Sequence, residues 1–141
     1  WEKNALKTMI DILEKNEDYS ICYGSYTMGG SIYCNQEFSR HGLMRKNLMS
    51  TMSIIRTNCF PLFDESIKRL QDWDLWLTML EQGKGGLFYD DFLFTVAGGG
   101  RISKWLPSFT YKLLPFLPQV KKYQEAATVI KVKHRLPYDP K

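Results

Sequence analysis

The sequence predicts an α/β domain: helices alternating with strands around one sheet. Three observations carry this. A helix-period segment is followed within about 25 residues by a run of β-formers, which is the rhythm of α/β proteins. A second helix, over 72–82, is apolar over most of its girth and so must lie inside. A run of β-formers, LFYDDFLFTV, comes directly after that helix and its glycines.

Each element has its own justification. In EKNALKTMIDILEKN the apolar positions Leu6, Met9, Ile10 and Leu13 are spaced for one buried helix face, and Asn16 is a natural stop. YSICYGSY, residues 19–26, reads as a strand closing near Gly24-Ser25. Residues 26–50 have no clean period and are punctuated by Gly29-Gly30 and Gly42, so they read as a long functional loop offering Arg40, His41 and Arg45. TMSIIRT, 51–57, reads as a buried strand. Phe60-Pro61-Leu62-Phe63 reads as a turn into a helix with Asp64 and Glu65 in its first turn, where carboxylates suit the helix dipole.

The helix over 72–82 places Trp73, Trp76, Leu77 and Leu80 on one face, widened by Leu75 and Met79. Asp74, Thr78, Glu81 and Gln82 form a narrow polar strip, and Gly83 with Gly85-Gly86 ends the helix. LFYDDFLFTV is a strand pair or one long bent strand, with Asp90-Asp91 at a turn. AGGGRIS is a glycine-rich loop, and three prolines between 106 and 118 keep any helix there short. The last helix spans 119–134. Val120, Tyr123, Ala127, Ile130 and His134 lie on one side, with Lys121, Lys122, Glu125 and Thr128 away from it.

Bulk properties exclude several classes. The chain has 141 residues and is 44% hydrophobic and 14% aromatic, so it is neither disordered nor fibrous. No apolar run approaches the roughly 18 residues of a membrane span. Three cysteines without CxxC spacing indicate free thiols in a reducing compartment, not a disulfide frame or zinc site. His41 and His134 are isolated in sequence, so packing or surface roles outrank metal ligation. Charge is uneven. Residues 1–103 carry 11 basic against 13 acidic side chains, a balance of −2, and residues 104–141 carry 8 against 2, a balance of +6. A basic tail suits an anionic partner, whether a membrane surface, a phosphate-bearing substrate or nucleic acid, and equally an ordinary solvated lysine face.

Two carboxylates stand out because they open the apolar helix. Asp72 falls in its first turn, where exposed N–H groups and the dipole favour an ionised carboxylate and the tryptophans limit water. That is a setting for general-base chemistry, and equally for an ordinary first-turn acid. Asp74, two residues on, points to the polar strip and reads as structural. In GGGRIS, glycines with Arg101 and Ser103 would let backbone and side chains approach a phosphate, although the pattern is neither a P-loop nor a dinucleotide fingerprint.

Together these segments resemble the family-2 glycosyltransferases of the GT-A type. WEKNALKTMIDILEKNEDYSICYGSY resembles the helix and strand after that family's Asp-x-Asp metal motif. SIIRTNCFPLFDESIKRLQDWDLWLTMLEQG resembles its run from the acceptor-side strand through F-D-E to the [EQ]-D-x-D-L-W-L helix. GGLFYDDFLFTVAGGGRIS resembles the closing strand and the loop over the donor diphosphate. VKKYQEAATVIKVKHRLP is similar to a basic helical tail of some bacterial members.

The resemblance implies the C-terminal half of a GT-A fold: a partial transferase domain over 1–103, acceptor side, and a basic helical tail over 104–141. By match Asp72 is the base that deprotonates the acceptor hydroxyl, and Gln71, Trp73, Arg101 and Ser103 contact substrate. The family's first strand, nucleotide-binding acids and Asp-x-Asp would lie upstream of Trp1. None of the site residues here is therefore expected to ligate the divalent manganese or magnesium ion of the complete enzyme. The implied partners are a nucleotide-sugar donor and a saccharide or lipid-linked acceptor, with no nucleic acid. The implied location is cytoplasmic, with peripheral contact to the inner face of the cell membrane through 119–141. The competing reading is a non-enzymatic basic module that binds a membrane surface or an anionic polymer.

Overall fold

The computed structural model of the chain describes residues 2–33, 36–96, 113–114 and 116–137. These form a mixed α/β arrangement. Helix α1 (Ala5–Lys15) leads into the long strand β1 (Tyr19–Met28), then β2 (Ser31–Tyr33), helix α2 (Arg40–Arg45), the two-residue strand β3 (Ile54–Ile55), helix α3 (Gln71–Glu81), strand β4 (Gly85–Val96) and helix α4 (Pro118–Lys133).

β1 is the hub of the sheet. It pairs antiparallel with β2 and β3 and parallel with β4. Successive side chains on a strand point to opposite faces, and both faces of β1 are covered. Ile21 and Tyr23 enter a core with Trp73, Trp76, Leu77 and Ile130 from the helices on one side. Cys22 enters a second core with Ala5, Met9 and Leu13 of α1 and Phe94 of β4. Ile130 of α4 shares the core of α3.

The three long helices expected are present, the second and third one residue earlier than their expected bounds of 72–82 and 119–134. α3 ends in a Schellman motif. Gly83 has φ 75°, its N–H donates to the Leu80 carbonyl, and the Lys84 N–H donates to the Met79 carbonyl. Asn16 closes α1, its side-chain amide donating to the Ile12 carbonyl at 2.7 Å.

Other expectations are corrected. The buried stripe of α1 is Ala5, Met9 and Leu13, and Leu6 and Ile10 are exposed, because the helix meets the sheet along i, i+4, i+8 only. β1 does not stop at Gly24-Ser25. A Cβ on Gly24 would lie 2.5 Å from Leu93 Cδ1, so glycine is there to let β4 pass closely, not to end the strand. Residues 26–50 are more ordered than a loop. Gly29 (φ 57°) and Gly30 (φ 81°) form the two-residue turn of a β1–β2 hairpin, with Met28 opposite Ser31. α2 starts at Ser39, whose hydroxyl accepts from the Gly42 N–H at 3.0 Å.

The expected buried strand over 51–57 shrinks to Ile54–Ile55, half-buried, followed by a 3-10 turn at Thr57–Cys59. No helix follows Phe63. The Asp64 carboxylate instead accepts from the Ser66 N–H (2.9 Å) and hydroxyl (2.6 Å), a local turn that competes with helix formation. Asp90-Asp91 is not a hairpin turn. β4 runs through as one strand, and the register jumps from Gly24 opposite Tyr89 to Ser25 opposite Phe92, leaving the two aspartates in a bulge.

Candidate functional site

The site is built at the front of α3. The residue before the helix, Leu70, has φ 60° and supplies no side-chain cap, so the first N–H groups depend on side chains within the helix itself. Asp72 serves one of them: its Oδ1 accepts from the Trp73 N–H at 2.9 Å. Its Oδ2 accepts from the Asn47 side-chain amide at 2.7 Å. Asn47 is itself oriented, because its Oδ1 accepts from the Met49 N–H at 3.3 Å.

The two tryptophans explain why Asn47 is in place. The Trp73 indole donates to the Leu43 carbonyl at 2.7 Å, and the Trp76 indole donates to the Met49 carbonyl at 3.2 Å. One turn of helix thus grips the 43–49 segment at both ends and presents Asn47 to Asp72. Trp73 is 2% exposed. Its indole is turned to the segment that carries Asn47. Gln71 is exposed at the first position of α3. Arg101 and Ser103 lie outside the described residues.

Burial pushes the Asp72 carboxyl above its ordinary value, and the Trp73 N–H and the Asn47 amide only partly offset this. No cation contributes to the shift. The expectation that backbone N–H groups would dominate is therefore corrected: desolvation outweighs them. A half-buried carboxylate with raised affinity for a proton, held by one hydrogen bond on each oxygen, retains lone pairs to accept another.

An aromatic row crosses the sheet on the side of the α1 core. Tyr33 of β2 stacks on Tyr26 of β1 at 5.0 Å between centroids, and Tyr26 stacks on Phe94 of β4 at 5.1 Å. The Tyr26 phenol is pushed up by burial first, then by Tyr33, then by the charge of Asp72, which places the phenol within electrostatic reach of the carboxylate. The Gly29-Gly30 signal would have paired Tyr26 with Tyr33. No local pattern marks Asn47.

Asp74 has a different setting. It lies on the polar strip of α3, and its side chain is only 4% exposed. The strip is covered by the end of α4. His134 Nε2 lies 2.8 Å from Asp74 Oδ1, and His134 Nδ1 lies 2.8 Å from Glu81 Oε1. A neutral imidazole has one N–H, so both carboxylates are served by donors only when the ring is protonated. Lys133 Nζ bridges Asp74 Oδ1 and Asp64 Oδ2, each at 2.8 Å. Burial alone would lower the Lys133 pKa; hydrogen bonds to Asp64 and Asp74 outweigh it and raise the net value. Lys133 in turn holds Asp64 well below the usual carboxylate range.

This network also revises the tail. The apolar side of α4 is turned inward, with Val120, Ile130 and His134 buried, and Lys133 faces carboxylates of the domain. Lys121 and Lys122 are exposed. No described helix is long and apolar enough to cross a membrane. Among the described residues no group of three or more His, Cys, Asp or Glu is arranged to hold a metal ion. No family model matches the chain, and no curated protein matches it at significance.

Proposed function

We propose that this chain is the acceptor-side part of an inverting GT-A type glycosyltransferase, with Asp72 as the general base. The observation that carries the reading is the setting of Asp72: a half-buried carboxylate in the first turn of a buried helix, anchored through both oxygens, with its proton affinity raised by desolvation. The order of QDWDLWL after FDE adds to it.

The chemistry is a single displacement. The acceptor oxygen forms a bond to the anomeric carbon as the bond from that carbon to the diphosphate oxygen breaks on the opposite face, and the hydroxyl proton passes to Asp72. A base placed this way contributes roughly 10²–10⁴-fold in rate. On this reading the divalent metal ion belongs to the upstream Asp-x-Asp and not to the residues described here. Donor, acceptor and membrane contacts follow from the same reading: a nucleotide-activated sugar, a saccharide or lipid-linked hydroxyl, and exposed Lys121 and Lys122 toward an anionic surface.

The reading expects an Asp-x-Asp segment in the same polypeptide ahead of Trp1, and an unrelated upstream sequence would remove it. The decisive assay is sugar transfer from nucleotide-sugars by the full-length protein and its Asp72→Asn variant. Loss of at least about 100-fold in turnover, with folding retained, supports the base assignment. Near-normal turnover overturns it.

A further inference from the structure

We infer that the cleft between α2 and the last turn of α4 is a binding site for a phosphate or diphosphate group. The inference is independent of the transferase reading: it uses neither Asp72 nor the glycine-rich loop.

The sequence supplies the charge. Between Glu37 and Asp64 the chain has no acidic residue and four basic ones, Arg40, Arg45, Lys46 and Arg56. Between Glu125 and Asp139 it again has none, with Lys131, Lys133 and Arg135. The fold brings these two acid-free stretches together. His41 and Arg45 are one turn apart on α2 and so share a face. With Met44 they line a cleft of about 270 Å³, together with Lys131 of α4 and Pro137 just beyond it. Among the described residues no carboxylate lines it.

The second observation is which partners are already taken. The acids that reach the end of α4 meet other cations or the histidine: Lys133 lies 2.8 Å from Asp64 and from Asp74, and His134 lies 2.8 Å from Asp74 and from Glu81. His41 and Arg45 have no hydrogen-bond or ion-pair partner among the described residues. Arg45 and Lys131 thus bring like charge to one space, an arrangement that an anion between them stabilises.

The end of α4 does not oppose an anion there. Arg135 takes φ 50°, and the N–H groups of Arg135 and Leu136 donate to the Val132 and Lys131 carbonyls. This closing turn masks carbonyls that would otherwise present the negative end of the helix dipole.

The chemistry selects phosphate. A guanidinium is a planar fork of N–H donors that matches two phosphate oxygens, an ammonium adds a point charge, and an imidazole N–H adds a further donor. A carboxylate has two oxygens and one charge. A phosphate group has more of both, and so can meet α2 and α4 at once.

The test is titration calorimetry on the full-length protein, with a chelator present to remove divalent ions. The soluble probes are inorganic phosphate and pyrophosphate, with sodium chloride at equal ionic strength as the screening control. Phosphatidylcholine vesicles with and without phosphatidate test a lipid headgroup as the source of the phosphate. Wild type is expected to bind at least one soluble probe. Arg45→Ala should weaken that binding by about tenfold, Lys131→Ala by about fivefold, and Arg45→Lys by about threefold because the charge stays and the fork is lost. Lys7→Ala, on the exposed side of α1, should leave it unchanged. Arg45 is exposed, so its variants decide the matter if Lys131→Ala does not fold by circular dichroism. Binding of a soluble probe assigns the site to a free phosphate. Phosphatidate-dependent vesicle binding that Arg45→Ala removes, without binding of a soluble probe, assigns it to a headgroup. No phosphate-specific binding of either kind, binding unchanged in folded Arg45→Ala, or equal weakening by Lys7→Ala overturns the inference. None of these outcomes bears on the base, which transfer by Asp72→Asn decides.

Discussion

Asp72 and Asp74 are two residues apart on one helix, and they live in different environments. Asp72 sits at the helix front, half-buried, with neutral partners: one backbone N–H and one side-chain amide. Asp74 sits on the flank, fully buried, with the Lys133 ammonium and the His134 ring of α4 as partners. A rotation of about 200° around a helix separates them. One carboxylate is left with an unbalanced charge and open lone pairs. The other has its charge compensated from both sides. The difference teaches that proximity in sequence says little about role: for a carboxylate, the sign and distance of its partners decide whether it is available for chemistry or committed to structure.

The comparison can be broken most directly by turnover. In the full-length protein Asp72→Asn is expected to lose at least about 100-fold, with folding intact, and Asp74→Asn is expected to keep normal turnover per folded molecule. Abolished turnover in a folded Asp74→Asn, with Asp72→Asn near normal, would exchange the two roles.

Stability should show the opposite ranking. Asp74→Ala leaves His134 and Lys133 without their shared buried acceptor, and is expected to cost roughly 3–5 kcal/mol in denaturant unfolding. A cost below that of Asp72→Ala would contradict the assignment. His134→Ala removes one buried hydrogen bond to the Asp74 carboxylate and should cost roughly 1.5–3 kcal/mol. In a double-mutant cycle, His134 and Asp74 should couple by about 0.5–3 kcal/mol. Additive losses would mean that the 2.8 Å contact contributes little.

The smallest effects are in pH dependence, and their signs sharpen the contrast. The folded-state pKa of Asp72 is raised from 3.8, so its proton-linked stability is full below that value and is lost as pH rises through the folded-state pKa. Asp72→Asn should therefore melt higher than wild type at neutral pH, and the gap should close on acidification. The pKa of Asp64 is lowered from 3.8 by Lys133 and Ser66, so its contribution is present above 3.8 and lost as pH falls through the folded-state value. Asp64→Asn should melt slightly lower than wild type at neutral pH and converge with it in acid. Curves of Tm against pH for both variants check this; slopes of the same sign would show that one environment is misassigned.

How much was legible varies with the range of the cause. The apolar wrap of 72–82 marked α3 as buried, and the spacing of Val120, Tyr123, Ala127, Ile130 and His134 marked the inward side of α4, because helix periodicity is local. The first-turn position of Asp72 was legible for the same reason. In the α1 stripe Met9 and Leu13 are buried as read, whereas Leu6 and Ile10 are exposed and Ala5 meets the core instead. The Gly29-Gly30 hairpin was written in the sequence, and its partner strand of three residues was too short to show a period.

By itself, the sequence determined the three long helices, that α3 lies inside, and that a carboxylate stands at its entrance; each depends on residues within a turn or two of one another. Tertiary structure alone decided that Asp74 is buried, because its partners Lys133 and His134 lie 59 and 60 residues away. It decided that Asp64 meets Lys133, 69 residues away. It also decided that Asn47, 25 residues upstream, reaches Asp72. A carboxylate's solvation is set by whatever packs around it, and those neighbours come from distant parts of the chain.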